Sequence, residues 1–246
     1  RRQRQMCIRD RYQYGINNYA TVNCITGDTS ITASNSYAIR NQVGWYDTSQ
    51  TPKVVTTEAN NVKTMVYTYD KVNFPTIKEI SGNVTLTANA NYAVWNDGNI
   101  EKISGGMNGN GVCITTPKGS YALENSGYIK EISGKTAIKS SSVYAIAQNV
   151  WKSENARRVA QTYIQKDVNG NGDYTSTGDI REYKYEYISP VIDKIGGDNS
   201  EITISGTRNV VFNIGTINSI TDGVTITATE YLSLIHISEP TRHSLI

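Results

Sequence analysis

The sequence predicts an all-β fold for residues 12–231, a right-handed parallel β-helix that carries two lateral β-hairpin insertions. Three observations support this class. The composition is rich in Thr, Ile, Val and Tyr, which favour strands, and in Asn and Gly, which favour turns. One motif recurs along most of the chain, and the charges inside it alternate in sign from copy to copy. A helical pattern is confined to residues 152–161.

The recurring motif is I-x-x-I-[S/T/G]-G, then a strand, then Y-A-Φ-x-N, where Φ is aliphatic. Copies that keep all or part of it span residues 24–41, 77–96, 100–125, 129–149 and 192–213. A unit of this length suits one rung of a parallel β-helix, because stacked rungs share a core that a single rung cannot form. The repeat therefore predicts that Ile77, Ile100 and Ile129 lie on successive rungs of one parallel sheet.

Two residues of opposite charge stand between the isoleucines of four I-x-x-I segments. The pairs are Lys78-Glu79, Glu101-Lys102, Lys130-Glu131 and Asp193-Lys194. Parallel stacking in register places these residues roughly 4.7–4.9 Å apart on neighbouring strands, where unlike charges are favourable. A flat strand cannot turn two residues three positions apart to the same side, so the motif also predicts a bulge or corner between the isoleucines.

The Y-A-Φ-x-N segment predicts which side chains face the core. Its fourth position varies freely, so we expect it to point outward and the Tyr and the aliphatic residue to point inward. That position holds Arg40, Trp95, Glu124 and Ala147. The final residue should form a stacked ladder at a corner, because Asn tolerates left-handed backbone and bonds to its neighbours. Its predicted members are Asn23, Asn41, Asn96, Asn125 and the pair Gln148-Asn149.

Two insertions interrupt the repeats, at about residues 45–75 and 150–189. Each opens near a tryptophan, Trp45 or Trp151, and closes with Y-x-Y before the next I-x-x-I segment. The β-rich stretches inside them predict two hairpins that project from one side. Insertions on one face of a repeat protein often form its binding face. Alternatively, the insertions cover apolar surface that would otherwise be exposed, and the sequence favours neither role.

Both ends of the chain differ in composition from the rest. RRQRQMCIRDR opens the chain and LSLIHISEPTRHSLI closes it. With suitable codons, the DNA that encodes MCIRDR is the reverse complement of the DNA that encodes LSLIHI. No physical property of a protein makes the genes for its two termini reverse complements of each other. Inverted transposon ends on either side of a DNA library fragment produce this relationship directly. We therefore expect residues 1–11 and 232–246 to be adaptor-derived and exclude them from the fold.

Excluding these flanks changes the charge and the available chemistry. They hold six of the 24 basic and two of the 22 acidic residues, so the net charge moves from +2 to −2. The net positive charge that would suggest a nucleic-acid partner disappears. His236 and His243 also lie in the flank, which leaves no nucleophile–histidine pair. No apolar run is long enough to span a bilayer, so we expect no membrane insertion in this segment.

The I-S-G and Y-A-Φ-x-N rungs resemble the right-handed β-helix repeats of large surface and adhesin-like proteins of anaerobic gut bacteria. The resemblance covers most of residues 12–231 and implies secretion or a cell-surface location, with a role in attachment. We expect a non-enzymatic module that binds a glycan or a host surface protein, or that acts as a stalk. The alternative is a polysaccharide lyase or hydrolase, because parallel β-helices also carry such enzymes. Their sites need clustered carboxylates, whereas each repeated acidic residue here has a basic neighbour.

The loop DVNGNGDYTSTGD, residues 167–179, indicates a calcium site. Oxygen-bearing side chains recur at its positions 1, 3, 5 and 7, with Gly172 at the sharp turn, as in the first half of an EF-hand loop. The predicted ligands are Asp167, Asn169, Asn171, Asp173 and Asp179. Gly178 replaces the bidentate glutamate, so the expected dissociation constant is roughly 10⁻⁴–10⁻³ M, as in extracellular modules. A polar hairpin turn is the alternative interpretation.

Overall fold

A computed structural model describes residues 14–42, 53–59, 62–69, 74–118, 121–141, 144–148, 157–174 and 178–229. Both predicted adaptor flanks, and also Trp45 and Trp151, lie outside these ranges. Within the described ranges the chain is all-β with parallel sheets and no helix, which confirms the predicted class. Residues 157–161 belong to a strand, so the helical interpretation is wrong for this part of 152–161.

Six short strands form the first parallel sheet, sheet 1. In spatial order they are β1 (Ile16–Asn18), β4 (Ile39–Asn41), β8 (Val94–Asn96), β11 (Tyr121–Asn125), β13 (Tyr144–Gln148) and β18 (Val211–Asn213). Equivalent motif positions pair across the sheet: Ile39 lies opposite Val94, which in turn lies opposite Leu123. Each copy of the Y-A-Φ-x-N segment thus supplies one strand, and the repeat itself sets the register.

Ten further parallel strands form two rows that share the long strands β7 and β12. The first row is β2 (Thr21–Ile25), the start of β7 (Thr76–Ala88), β9 (Asn99–Gly105), the start of β12 (Tyr128–Ser140), β16 (Val191–Ile195) and β19 (Thr216–Ile220). The second row is β3 (Asp28–Ala33), the end of β7, β10 (Val112–Thr116), the end of β12, β17 (Glu201–Gly206) and β20 (Val224–Ala228). Ile77 lies opposite Ile100, and Ile100 opposite Ile129, which confirms their predicted placement.

Both isoleucines of the I-x-x-I segments are buried in the core. Their two columns are Ile77, Ile100, Ile129 and Ile192, and Ile80, Ile103, Ile132 and Ile195, all 0% exposed. Between them, Lys78 is exposed and Glu79 partly exposed, so the strand bends there, as the spacing predicts. Burying side chains of this size stabilises the fold by about 1.5–3 kcal/mol each, and the columns hold neighbouring copies together.

The alternating charges follow the same register. Glu79 lies opposite Lys102, Lys102 opposite Glu131, and Glu131 opposite Lys194. These four side chains are all described, and no ion pair within 4.0 Å joins any two of them. The column therefore favours correct register through weak Coulomb attraction, worth about 1 kcal/mol or less per pair.

The glycine of the I-S-G motif turns the chain from the first row into the second. Gly82 and Gly134 have φ angles of 82° and 61°, which side chains rarely allow. Gly105 lies between them in register. A Cβ atom at Gly105 would lie 1.7 Å from the carbonyl oxygen of Lys135, so no other residue fits at this position.

The two insertions join in one antiparallel sheet, here called the lateral sheet. Its order is β15 (Ile180–Ile188), β14 (Arg157–Asp167), β6 (Val62–Tyr69) and β5 (Lys53–Ala59). β6 pairs with β14, so strands from separate insertions are direct neighbours. No described side chain of the lateral sheet belongs to the hydrophobic core cluster of the parallel sheets. The sequence predicts the hairpins but not their union into one sheet.

Candidate functional site

A continuous ladder of side-chain amides runs along sheet 1. Each amide nitrogen donates to the next amide oxygen over 2.7–2.8 Å, in the order Asn18, Asn41, Asn96, Asn125, Gln148 and Asn213. The prediction of Asn23 as a member is wrong, because Asn23 is exposed on β2 and Asn18, four residues after Tyr14, takes that place. An unpaired buried amide would cost about 1–3 kcal/mol, so the ladder stabilises the stacking of the copies.

Aromatic rings stack along the other side of sheet 1. Successive centroids are 5.0–5.5 Å apart in the order Tyr14, Tyr37, Tyr92, Tyr121, Tyr144 and Phe212. The prediction that the motif tyrosine points inward is wrong. Tyr92 is partly exposed, whereas Ala93 and Val94 are both buried. Two consecutive buried residues mean that the backbone bends here, so the alternation of a flat strand does not apply.

Arg40, Trp95 and Glu124 lie side by side at the fourth motif position. The Arg40 guanidinium carbon is 4.5 Å from the Trp95 ring centroid, and Nη1 donates to the Tyr14 hydroxyl at 2.6 Å. Glu124 is 6% exposed and Ala147 is 0% exposed, but Ala147 lies outside the hydrophobic core cluster, so the fourth position faces away from the core and is covered by neighbouring side chains in these two copies. Arg40 and Trp95 remain partly exposed, whereas Glu124 is buried.

Glu124 has an unusual electrostatic setting. The pKa of its carboxyl is raised to about 7, mainly by burial and also by the nearby Asp97, while a hydrogen bond with Tyr92 offsets part of the increase. Burial also raises the pKa of the Tyr92 hydroxyl, and Glu124 adds to that shift. Within the described residues, the buried Oε2 atom of Glu124 has no hydrogen-bond partner. The protonated form is therefore favoured up to neutral pH.

A carboxyl with a raised pKa beside a second carboxylate is typical of a general acid in glycoside hydrolysis. A general acid must also reach the oxygen that it protonates. The Oε2 atom of Glu124 is out of contact with solvent, and the faces of the neighbouring rings cover one another. The Oε2 atom of Glu124 is therefore not placed to touch a polymer.

Tyrosines from both insertions meet on one face of the lateral sheet. Tyr67 of β6 lies opposite Tyr163 of β14, and their ring centroids are 5.8 Å apart. The register places Val54 of β5 next to Tyr67 in the same row. Directly opposed residues on antiparallel strands share a face of the sheet. We call the surface around Tyr67 and Tyr163 the tyrosine face.

Polar groups flank these tyrosines. Gln165 Nε2 donates to the Tyr163 hydroxyl at 2.9 Å, and the Tyr67 hydroxyl donates to Met65 Sδ at 3.6 Å. All four side chains are half-buried, so part of each remains open to solvent. Rings with an apolar body and a polar edge, set beside amides, offer packing to the C–H faces of sugars and hydrogen bonds to their hydroxyls.

The predicted calcium loop connects β14 to β15 at one end of the lateral sheet. Asp167 is fully buried, and its Oδ1 and Oδ2 atoms accept the backbone N–H groups of Asn171 and Gly172 at 3.2 and 2.8 Å. Gly172 has a φ of 80°, the left-handed conformation that the sharp turn requires. The side chain at position 1 thus organises the turn that follows it.

The other predicted ligands lie around the same turn. Asn169 Oδ1 accepts the Asn171 N–H, Asn171 Oδ1 accepts the Asp173 N–H, and Asp179 Oδ1 accepts the Val168 N–H. An oxygen that accepts one hydrogen bond keeps a second lone pair, so these groups suit a hard cation in chemical type. Across the described residues, no group of three or more His, Cys, Asp and Glu side chains is arranged to hold a metal ion.

No helix capable of crossing a membrane occurs among the described residues. Comparison with protein-family models, with curated proteins and with solved structures gives no match to this chain.

Proposed function

We propose that this chain is a non-enzymatic binding module of a secreted or cell-surface adhesin-like protein, and that its tyrosine face binds glycans. One observation carries the proposal: two separate insertions form a single sheet that places Tyr67 beside Tyr163. The described part of this sheet adds nothing to the core of the parallel sheets, so its construction is best explained by a role at the surface.

We further propose that the parallel sheets wind as a right-handed β-helix. Successive copies of the repeat pair in parallel and contribute strands to the same rows, which supports this arrangement. The order of the strands across each parallel sheet also follows the order of the copies in the chain. A crystal structure tests the proposal, and a left-handed path between consecutive rungs would contradict it.

A glycan panel tests the binding function directly. The double variant Tyr67→Ala with Tyr163→Ala should lose at least tenfold in affinity relative to the unmodified chain. Tyr19→Ala is the matched control, because Tyr19 is 50% exposed and lies next to β1, outside the strands of the lateral sheet. If the chain binds a host surface protein saturably and binds no glycan, the ligand is a protein and not a sugar. If it shows no saturable binding at all, the module acts as a stalk.

The non-enzymatic part of the proposal rests on the burial of Glu124 beneath stacked rings. The alternative, a polysaccharide lyase or hydrolase, needs an acid or base that touches the polymer. Incubation with acidic polysaccharides should release neither unsaturated sugars, seen by ultraviolet absorbance, nor new reducing ends. Release of either product, abolished by Glu124→Gln, would establish the enzyme instead.

We also propose that calcium binds the 167–179 loop and orders the connection between β14 and β15. Support comes from Asp167, whose buried carboxylate already gathers the N–H groups of the turn. Calorimetry with millimolar calcium should give heat that Asp167→Ala abolishes and the exposed control Asp198→Ala preserves. Absence of heat, or heat that survives Asp167→Ala, would leave the loop as a polar turn.

A further inference from the structure

We infer that the tyrosine face selects acidic glycans and that Arg181 binds their carboxylate or sulfate group. The inference rests on the glycan-binding function proposed above and names the chemical class of the ligand. It starts from the position of Arg181 on β15, directly opposite Gln165 on β14. Opposed residues share a face, so Arg181 lies on the same side of the sheet as Gln165.

Arg181, Gln165 and Tyr163 form one continuous patch. Gln165 is bonded to the Tyr163 hydroxyl, and Arg181 is its cross-strand neighbour. Tyr67 continues the patch on β6. Strands in a sheet are spaced about 4.8 Å apart, so roughly 10 Å separates the strand of Tyr67 from that of Arg181. A sugar ring packed on a tyrosine therefore has an arginine one or two strands away.

The Arg181 guanidinium is held in place by a neutral group. Its Nε and Nη2 atoms donate to the carbonyl oxygen of Tyr174 at 3.2 and 3.3 Å. Among the described residues, no carboxylate lies within 4.0 Å of it to neutralise its charge. The side chain is exposed, and its remaining N–H groups match the fork geometry of a carboxylate or sulfate. The arginine is thus oriented for an anion that the chain itself does not supply.

The acidic residues of this face lie towards the calcium loop. Glu58 and Asp167 both stand opposite Lys63 in register, and Asp167 is fully buried. Asp179, two residues before Arg181, bonds the Val168 N–H of the loop. The row next to the tyrosines consists of Thr56, Met65, Gln165 and Arg181, so its single charge is positive and complements an anionic sugar.

Matched pairs of acidic and neutral glycans test the inference. Suitable pairs are oligogalacturonate and its methyl ester, sialyllactose and lactose, and a sulfated galactan and its desulfated form. The unmodified chain should bind the acidic member of at least one pair about tenfold more tightly, as one charge-assisted contact would provide. Arg181→Gln should remove this preference while binding of the neutral member stays unchanged, which also shows that the face is still folded.

Lys184→Gln provides the matched control. Lys184 lies three residues further along β15, opposite Thr162, and therefore on the other face of the sheet. The Lys184→Gln substitution also removes one positive charge, and it should leave the preference for acidic glycans intact. Equal affinity for both members of all three pairs, or an equal effect of the two substitutions, would overturn the inference and leave glycan binding standing. Absence of binding to every glycan would overturn the proposed function as well.

Discussion

The Asn41 side chain donates to Asn96 Oδ1 at 2.7 Å, although 55 residues separate the two in the chain. Asn96 in turn donates to Asn125 at 2.8 Å and to the carbonyl oxygen of Tyr128 at 3.2 Å. One buried carboxamide thus joins three copies of the repeat. The repeats are therefore fastened by directional bonds as well as by apolar packing.

Asn96→Ala should lower the free energy of unfolding by about 2–4 kcal/mol. The substitution removes the bonds to Asn41 and to Asn125, and each loss costs about 1–3 kcal/mol. Asn41 Nδ2 keeps the carbonyl oxygens of Pro75 and Asn99 as acceptors, which limits the cost on that side. Urea denaturation measures the change. Asn23→Ala, at an exposed position on β2, is the control and should stay within about 0.5 kcal/mol of the unmodified chain. Equal effects at the two positions would contradict the ladder.

Glu124 should make the fold less stable as the pH rises. Its folded pKa of about 7 lies above the ordinary value of 4.5, so the buried form prefers the proton. The resulting stabilisation, on the order of 3 kcal/mol, is complete below about pH 4.5 and is lost as the pH rises through about 7. Urea midpoints between pH 4.5 and 8 should fall accordingly.

Glu124→Gln should remove this part of the pH dependence, because the amide does not titrate. The variant should be more stable than the unmodified chain at pH 8. Glu101→Gln, at an exposed position of β9, should keep the original slope. A slope that is unchanged in Glu124→Gln would assign the pH dependence to other groups.

Ile103→Ala should destabilise the fold by about 2–5 kcal/mol, because it leaves a cavity in a fully buried column. Ile220 stands in the same column but on the edge strand β19, opposite Ile195, and is 49% exposed. Ile220→Ala should therefore cost about 1 kcal/mol or less. Thermal unfolding of the two variants checks the difference, and similar losses would mean that stacking does not bury this column.

Hydrogen exchange should separate the lateral sheet from the parallel sheets. β5 is an edge strand that pairs with β6, and all seven of its residues are exposed. β9 is paired on both sides, with β7 and with β12. Amides of Lys53–Ala59 should exchange much faster than those of Asn99–Gly105, because local opening of an exposed edge costs less free energy. Equal protection of both strands would contradict this.

The columns of isoleucines and the central part of the amide ladder are predictable from the sequence because the repeat fixes their register. Ile77 and Ile100 occupy the same motif position and are paired in the structure. The orientation of Tyr92 is not predictable in this way. The rule of alternation assumes a flat strand, whereas Ala93 and Val94 are consecutive and both buried.

The pairing of the two insertions has no comparable sequence signal. Tyr67 and Tyr163 belong to segments that share no motif position, and the edges of exposed strands do not specify a partner. Asn18 could have been found, because it follows Tyr14 by the same four positions that separate Tyr92 from Asn96. The first copy is incomplete, and the competing match at Asn23 obscured it.

The contact between β6 and β14 also has a consequence for the order of folding. The strands β7 to β13 lie between them in the chain, so a very long loop must close before they can meet. Contacts of such high sequence separation form slowly unless the intervening segment has already become compact. Stacked repeats propagate through contacts between neighbouring copies, which shortens this distance step by step. We therefore expect Tyr67 and Tyr163 to come together only after the copies between the two insertions are in place.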